Sequence, residues 1–435
     1  MAAIFYHLGR QPALKEHVPE FVAYSLLAGA LYAVAVYLVE QSRLGLPALL
    51  IILGGALLFR FLLLGVEPQL SDDAYRYQWE GRVQRAHLNP YTVYPAMPDL
   101  RKFEDPKHPL RTGPTTPTLY PPLTEAALAW VKSVPGYKRL FTVLDLLSLG
   151  VLLLLLAALK QPLHRSVAYA WNPTVVVSFA MGGHHDSLAI LALLVANLLI
   201  ITHRRALSMA FLAAAFLAKL YPLVLLPVFI TRFKETSARR RLAATVLAPL
   251  GIFGGVVLLG YVPYLGAGRR LLRGASDYAA GWEANDSVFR LILHAGNSKA
   301  QAELVAAALL AGLVVYAVKS RMTPLRASLF LTAGLVLLSP DAFPWYFTWS
   351  IPFLCFYPSA PWLLASVVAV LGYTPVVAYA AGLPYRDSPW VLALEYLPVY
   401  AWLGVETLFA KTSGSAALLC GKASPSRTTG KNNQK

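Results

Sequence analysis

The sequence predicts an all-α, polytopic integral membrane protein. Three observations lead there. Apolar residues make up 57% of the 435-residue chain and charged residues 14%, and the mean hydropathy is +0.53. A soluble chain carries about 25% charged residues, so this one has too few polar side chains to coat a globule of its size. Apolar runs also recur near the bilayer-crossing length of about 17–25 residues. Helices satisfy every backbone group internally and so can span lipid.

In chain order, spans are predicted at 21–41, 46–66, 138–159, 166–181, 187–202, 206–218, 220–231, 243–264, 300–318, 327–340, 345–359, 361–381 and 390–410. This gives about 11–13 membrane helices. Several runs are too short to cross at 1.5 Å per residue. Such half-spans predict broken helices around a cavity, where irregular backbone is tolerated. Residues 119–131 are short and start at Tyr120-Pro121-Pro122, which predicts an interfacial helix rather than a crossing. Residues 1–411 read as one transmembrane domain, with 67–137 as a first large loop and 266–299 as a second. The first twenty residues are polar and do not read as a cleavable signal peptide. Residues 412–435 are small, polar and basic, which predicts a disordered cytoplasmic tail. No internal repeat is visible.

The formal charge of +16 would point to nucleic acid in a soluble protein. Here it reads as loop charge that orients helices, with no nucleic-acid partner. The basic run 232–241 (RFKETSARRR) predicts a cytoplasmic loop, and residues 160–165, 203–205 and 319–326 fall on the same side. Residues 67–137, 181–187, 266–299, 340–344 and 382–389 are then extracytoplasmic. Arg269, Arg270 and Arg273 break the orientation rule. The two cysteines, Cys355 and Cys420, form neither a disulfide framework nor a metal site.

The polar residues worth weighing gather in the loops assigned outside. Asp72 and Asp73 follow a membrane run and sit in the first turn of a short helix, where the dipole favours acids. Arg76 is spaced to pair with either acid, and Glu80 lies one turn further on. A carboxylate here can serve as a general base towards an acceptor hydroxyl at the membrane surface. Gly182-Gly183 allow a tight turn before His184, His185 and Asp186, and Asp186 opens the next helix. The His-His-Asp spacing matches no zinc pattern. Lys219 stands between two half-spans, and an ionisable residue at membrane depth is a functional-site hypothesis. Arg269, Arg270 and Arg273 offer planar, permanently charged forks suited to phosphate. Trp345 and Tyr346 belong to an aromatic run at a helix end, as in an interfacial belt or a sugar site.

Taken in this order, the segments resemble the GT-C glycosyltransferases, polytopic enzymes that take a sugar from a polyprenyl-phosphate carrier on the outer membrane face. The resemblance covers about residues 46–360. An acid pair opening the first large outer loop is the hallmark of that superfamily, and Asp72-Asp73 stand there. WEGRVQRAHLNPY followed by LYPPLTE is similar to bacterial members near glycosyltransferase family 87 and to polyprenol-phosphate-mannose-dependent mannosyltransferases. WNP…GGHHDSLAI resembles their second outer-face motif, and KLYPLVLLP and SPDAFPWYFTWSIPFL resemble later stretches. The chain departs from the pattern in having adjacent acids rather than a spaced Asp-x-Asp, so either acid can be the base. Ala342-Phe343 stand where similar enzymes often carry a histidine. Two spans precede the acid loop where many relatives have one, and no large soluble domain follows the last helix, unlike the oligosaccharyltransferases.

The resemblance implies a GT-C-type bundle in a bacterial cytoplasmic membrane with its active site on the extracytoplasmic face. It implies transfer of a hexose, with mannose a candidate, from a polyprenyl-phosphate donor to a lipid-linked or glycan acceptor, with inversion. Asp72 or Asp73 is then the base. Lys219, Arg269, Arg270, Arg273, His184 and His185 are candidates for the phosphate. Arg76, Glu80, Asp186 and Tyr346 complete the substrate-binding set, and Tyr75, Trp79 and Trp345 are candidates to stack on sugar or lipid. Cations alone can stabilise a monophosphate leaving group, so no cofactor is required, although a divalent metal would be compatible. Two other readings stay open: a transporter or flippase for lipid-linked glycans, and a non-catalytic subunit of a glycan assembly complex. The first would show repeat symmetry.

Overall fold

The structure is a computed structural model that describes residues 1–11, 13–42, 44–233 and 243–412. Most of the basic run used for orientation, and the tail from 413, lie outside the described residues. In chain order the helices are α1 (Ala2–Leu8), α2 (Val18–Gln41), α3 (Leu46–Leu64), α4 (Asp73–Arg85), α5 (Pro122–Trp130) and α6 (Val134–Ala158). After them come α7 (Val167–Ala170), α8 (Pro173–Val176), α9 (Asp186–Ile201), α10 (Arg205–Ala218), α11 (Leu226–Ile230), α12 (Ala248–Tyr261) and α13 (Arg273–Gly281). The last are α14 (Val288–His294), α15 (Lys299–Lys319), α16 (Pro324–Leu338), α17 (Ala360–Val368), α18 (Val376–Ala380) and α19 (Pro389–Thr412). Among the described residues there is no strand, only two isolated bridges, of which Ala284 with Asp341 ties together two predicted outer loops.

Seven helical segments among the described residues are long and apolar enough to cross a membrane, and four shorter apolar helices accompany them. The mean hydropathy of α3 is 2.3, yet only 28% of that window is buried inside the protein. An apolar face left outward, as at Leu50, Ile51 and Phe61, needs a hydrocarbon solvent. The protein is therefore polytopic, all-α and membrane-integral. Several of the predicted spans are not continuous α-helices, 166–181 and 345–359 among them. Residues 166–181 break into α7, α8 and a π-turn (Val177–Met181), and residues 345–359 fold as 3-10 turns at Pro344–Trp349 and Ile351–Cys355. Pro173, Pro344 and Pro352 remove donors from the helical ladder, and the irregular backbone they leave is buried in protein. α5 has nine residues and does not cross; Trp130 projects from its end, 77% exposed.

The main core joins α2, α3, α6, α9, α10, α16, α17 and α19. A separate cluster built from Ala74, Tyr77, Val83, Leu128, Tyr137 and Phe141 packs α4 and α5 over the end of α6. That packing fixes the acid pair relative to the bundle. Deep in the core, Arg60 of α3 pairs with Asp145 of α6 at 2.5 Å, the side chains being 1% and 0% exposed. Tyr169 donates to the same carboxylate at 2.7 Å.

Candidate active site

The site starts where α3 ends. Lys138 of α6 donates to the main-chain carbonyls of Val66 and Leu63, closing the C-terminus of α3, where a cation is favoured. The chain then turns into α4. Ser71 Oγ accepts from the Asp73 N–H at 3.1 Å, and Asp72 holds the cap position. The Asp72 carboxylate is turned towards the first outer loop, where its Oδ2 accepts from the main-chain N–H groups of Arg111 (3.1 Å) and Thr112 (3.0 Å). Asp73 points the other way and meets His184 Nδ1 at 3.1 Å, keeping 24% exposure. The two acids therefore have different surroundings. Burial and the Asp73 charge push the Asp72 carboxyl above the usual range. Burial also acts to raise Asp73, but the His184 hydrogen bond and the charges of His184 and Lys219 outweigh it and hold Asp73 below that range.

The second motif is shaped by its glycines. Asn172 caps α8 by accepting from Thr174 and Val175 N–H, and the π-turn runs into Gly182 and Gly183. Gly183 has φ +69°, and a Cβ there would stand 2.8 Å from Lys138 Cγ. A side chain at Gly182 would strike the His184 ring at 2.7 Å. This tight passage aligns three consecutive residues. His184 holds Asp73. His185 is hydrogen-bonded through Nδ1 to the Tyr77 hydroxyl at 2.9 Å. Asp186, fully buried at the start of α9, accepts from Lys219 Nζ at 2.8 Å and from Trp349 Nε1 at 2.6 Å. Lys219 follows the last residue of α10 in extended conformation (φ −156°, ψ 145°), because Pro222 forbids continuation of the helix. Its ammonium stands 4.7 Å from the Tyr346 ring centroid and 5.5 Å from that of Trp349.

These groups surround a cavity of about 450 Å³. Asp72, Asp73, His185, Lys219, Trp345 and Tyr346 line it, with Tyr278 and Trp282 reaching in from the second outer loop. All five segments assigned outside come to this region: Ala284 bridges Asp341, Asn285 N–H donates to Asp387 at 2.7 Å, and Arg111 donates to the Tyr379 and Ala380 carbonyls. The opposite set also meets, as Arg165 pairs with Glu40 at 2.9 Å and Arg232 donates to the Met322 carbonyl.

Other predicted residues lie elsewhere or are already engaged. Arg76 does not pair with either acid. It binds Glu80 at 2.7 Å and donates to the carbonyls of Gly113 and Thr116, so it pins the outer loop while flanking the cavity. Glu80 and Trp79 are buried in the α4–α5 cluster and do not line the cavity. Tyr75 stacks on His108 at 4.1 Å and donates to Glu67. Trp345 lies between His184 (3.9 Å, 16°) and Phe343 (4.7 Å, 1°), stacked with both. Arg269, Arg270 and Arg273 are exposed and away from the cavity lining; Arg273 approaches Asp277 at 3.5 Å. Sequence reasoning passed over Tyr77, Tyr278 and Asp341. Tyr77 was findable, since it lies four residues after Asp73 and so on the same helix face. The Tyr278 hydroxyl donates to Asp341 at 2.5 Å and lies 3.1 Å from that of Tyr346, a contact no local spacing encodes. Among the described residues no group of three or more His, Cys, Asp or Glu could hold a metal ion.

Residues 10–234 match a family model described as alpha-(1->6)-mannopyranosyltransferase, N-terminal domain, and residues 296–406 match the MptB C-terminal domain. The first match alone spans more than half of the chain. The chain belongs to the alpha-(1->6)-mannopyranosyltransferase family. No curated protein and no solved structure matches it. This mannosyltransferase is thus a membrane glycosyltransferase of GT-C type, acting with a sugar donor and a lipid-linked acceptor. Asp73, the His184–Asp186 motif and Lys219 all fall inside the N-terminal match, and Trp345 and Tyr346 inside the C-terminal one. Arg269, Arg270 and Arg273 fall between the two.

Proposed function

We propose that this mannosyltransferase moves a mannosyl group from a polyprenyl-phosphate carrier to a primary hydroxyl of a lipid-linked glycan, with inversion, on the extracytoplasmic face of a bacterial cytoplasmic membrane. One observation carries the reading. Asp73 and Lys219 line the same cavity, and each is held by a member of the triplet His184-His185-Asp186. Asp73 is the base. It stays ionised at neutral pH because its carboxyl lies below the usual range. It takes the proton of the acceptor hydroxyl as that oxygen attacks the anomeric carbon. The bond from that carbon to the phosphate oxygen breaks, and the polyprenyl phosphate leaves with the electron pair.

The leaving phosphate gains charge, and cations aimed at developing charge are usually the largest rate term. Lys219 fits this role. An ammonium has three donors; Asp186 takes one, and the side chain remains 15% exposed at the cavity. The exposed arginines, off the cavity and between the family matches, fit it less well. The reading requires no metal. Inversion together with the α linkage in the family description calls for a β-linked donor.

The test incubates purified protein with a panel of polyprenyl-phosphate sugars and measures released polyprenyl phosphate. Release from the β-mannosyl carrier with formation of an α-linked product is expected. Transfer from a nucleotide sugar alone, or a β-linked product, would refute the reading.

A further inference from the structure

His185 is the member of the triplet with no assigned partner on the cavity side. It is 2% exposed, it lines the cavity, and its Nε2 is buried without a hydrogen-bond partner. Its ring is held rigidly. Tyr77 binds Nδ1 at 2.9 Å, and the rings of Tyr77, Tyr120 and Phe141 meet it edge to face, with centroids 5.5, 5.0 and 6.4 Å away. Buried polar atoms are nearly always paired in native proteins, and an orphan calls for an explanation. Here the orphan belongs to a side chain that lines the substrate cavity.

We infer that His185 Nε2 binds a hydroxyl of the transferred hexose and so reads the identity of the sugar. The inference rests on the proposed function above and deepens it. His184 fixes the base that meets the acceptor, and Asp186 fixes the cation that meets the donor phosphate. The group transferred from phosphate to acceptor is the sugar, and His185 lines the same cavity as the base and the cation. Its chemistry suits a hydroxyl better than a phosphate. Burial and the nearby Lys219 charge press the imidazole down to about 3, so it adds no positive charge for an anion. Whichever ring nitrogen carries the proton, a hydroxyl can answer Nε2, since it both donates and accepts. A site built to hydrogen-bond a substrate hydroxyl rejects analogues that lack it.

The experiment compares the β-mannosyl polyprenyl-phosphate donor with its 2-, 3-, 4- and 6-deoxy analogues, using the full-length wild type and His185→Phe. A buried polar group left unpaired reduces kcat/KM roughly 5- to 150-fold. The expected result is that the wild type uses one analogue worse than the parent by such a factor. His185→Phe should lose that factor with the parent and no longer distinguish the analogue, while its ratios for the other three stay unchanged. If His185→Phe fails to fold, Tyr77→Phe serves instead. It keeps the imidazole but frees Nδ1, and it should shrink the same single ratio. Unchanged ratios in the variant that folds, or a uniform loss on every donor, would overturn the inference. A wild type that turns over none of the five donors would overturn the proposed function and this inference with it.

Discussion

Replacing each acid of the pair by asparagine separates the base from its neighbour. Asp73→Asn preserves shape and can still hydrogen-bond His184 Nδ1, now at 3.1 Å from the carboxylate, but it cannot take a proton. General base catalysis contributes about 10²–10⁴-fold, which is about 2.7–5.4 kcal/mol of barrier at 1.36 kcal/mol per decade. Asp72→Asn differs. Its side-chain oxygen can still accept from the Arg111 and Thr112 N–H groups. What is lost is the charge assistance of two bonds, about 1 kcal/mol each for charged over neutral acceptors. Partial solvent exposure reduces that amount. Burial and the Asp73 charge already disfavour the ionised form of Asp72, which reduces it further. The expected result is a kcat drop of at least about a hundredfold for Asp73→Asn and less than about tenfold for Asp72→Asn. Polyprenyl phosphate release by the purified variants provides the assay, with gel filtration to verify folding. The reverse order would assign the base to Asp72. Near-normal rates in both variants would leave neither acid as the base.

Three further outcomes follow from the same geometry. The His184 hydrogen bond and charge oppose burial to depress the Asp73 carboxyl, so activity should persist down to pH values below the ordinary Asp range, and His184→Asn should move the acid limb of the pH–kcat/KM profile upward; a limb that stays put or moves down refutes the coupling. Lys219→Met strands the buried Asp186 carboxylate and should cost about 3–5 kcal/mol of stability, whereas Lys219→Met with Asp186→Asn should recover thermal stability without donor turnover; recovery of both would make Lys219 purely structural. Arg60→Met should cost a similar 3–5 kcal/mol, and Arg60→Met with Asp145→Leu should return close to wild-type stability, read by thermal unfolding in detergent; equal losses in the single and double variants would mean that the pair is not an isolated unit.

The membrane class was legible because hydropathy is a sum over long windows and tolerates local error. The runs 166–181 and 345–359 are broken, as their shortness predicts, by prolines that interrupt the ladder, but composition does not say whether a broken run lies in protein or in lipid. The polar motifs were legible as motifs. Gly183 needed its positive φ, Lys219 stood at a helix break, and the acids stood at a helix start. Partner choice was not legible. Arg76 is equally well spaced for Asp72, Asp73 and Glu80, and only the packing of the outer loop against α4, which supplies the carbonyls of Gly113 and Thr116, turns it to Glu80. Asp145 and Arg60 each sit alone in an apolar run 85 residues apart, and Tyr278 and Asp341 are 63 apart. No periodicity links such pairs.

The buried ion pairs Arg60–Asp145 and Lys219–Asp186 also differ in a way that separates scaffold from site. Both lie among apolar helices, where an unpaired charge is expensive. Arg60 is closed on all sides: Nε and Nη2 donate to Asp145, and Nη1 donates to the carbonyls of Ala56 and Ala170. It does not line the active-site cavity, and the pair serves to join α3 to α6. The Lys219–Asp186 pair is left open on one side. Asp186 Oδ2 lacks a partner, Lys219 lines the cavity, and its ammonium meets one carboxylate oxygen and the faces of two aromatic rings. An arrangement that leaves donors unused beside a cavity gives up stability that the Arg60 pair retains. That loss is expected where the missing partner is the leaving phosphate, which arrives with the donor and departs with the product.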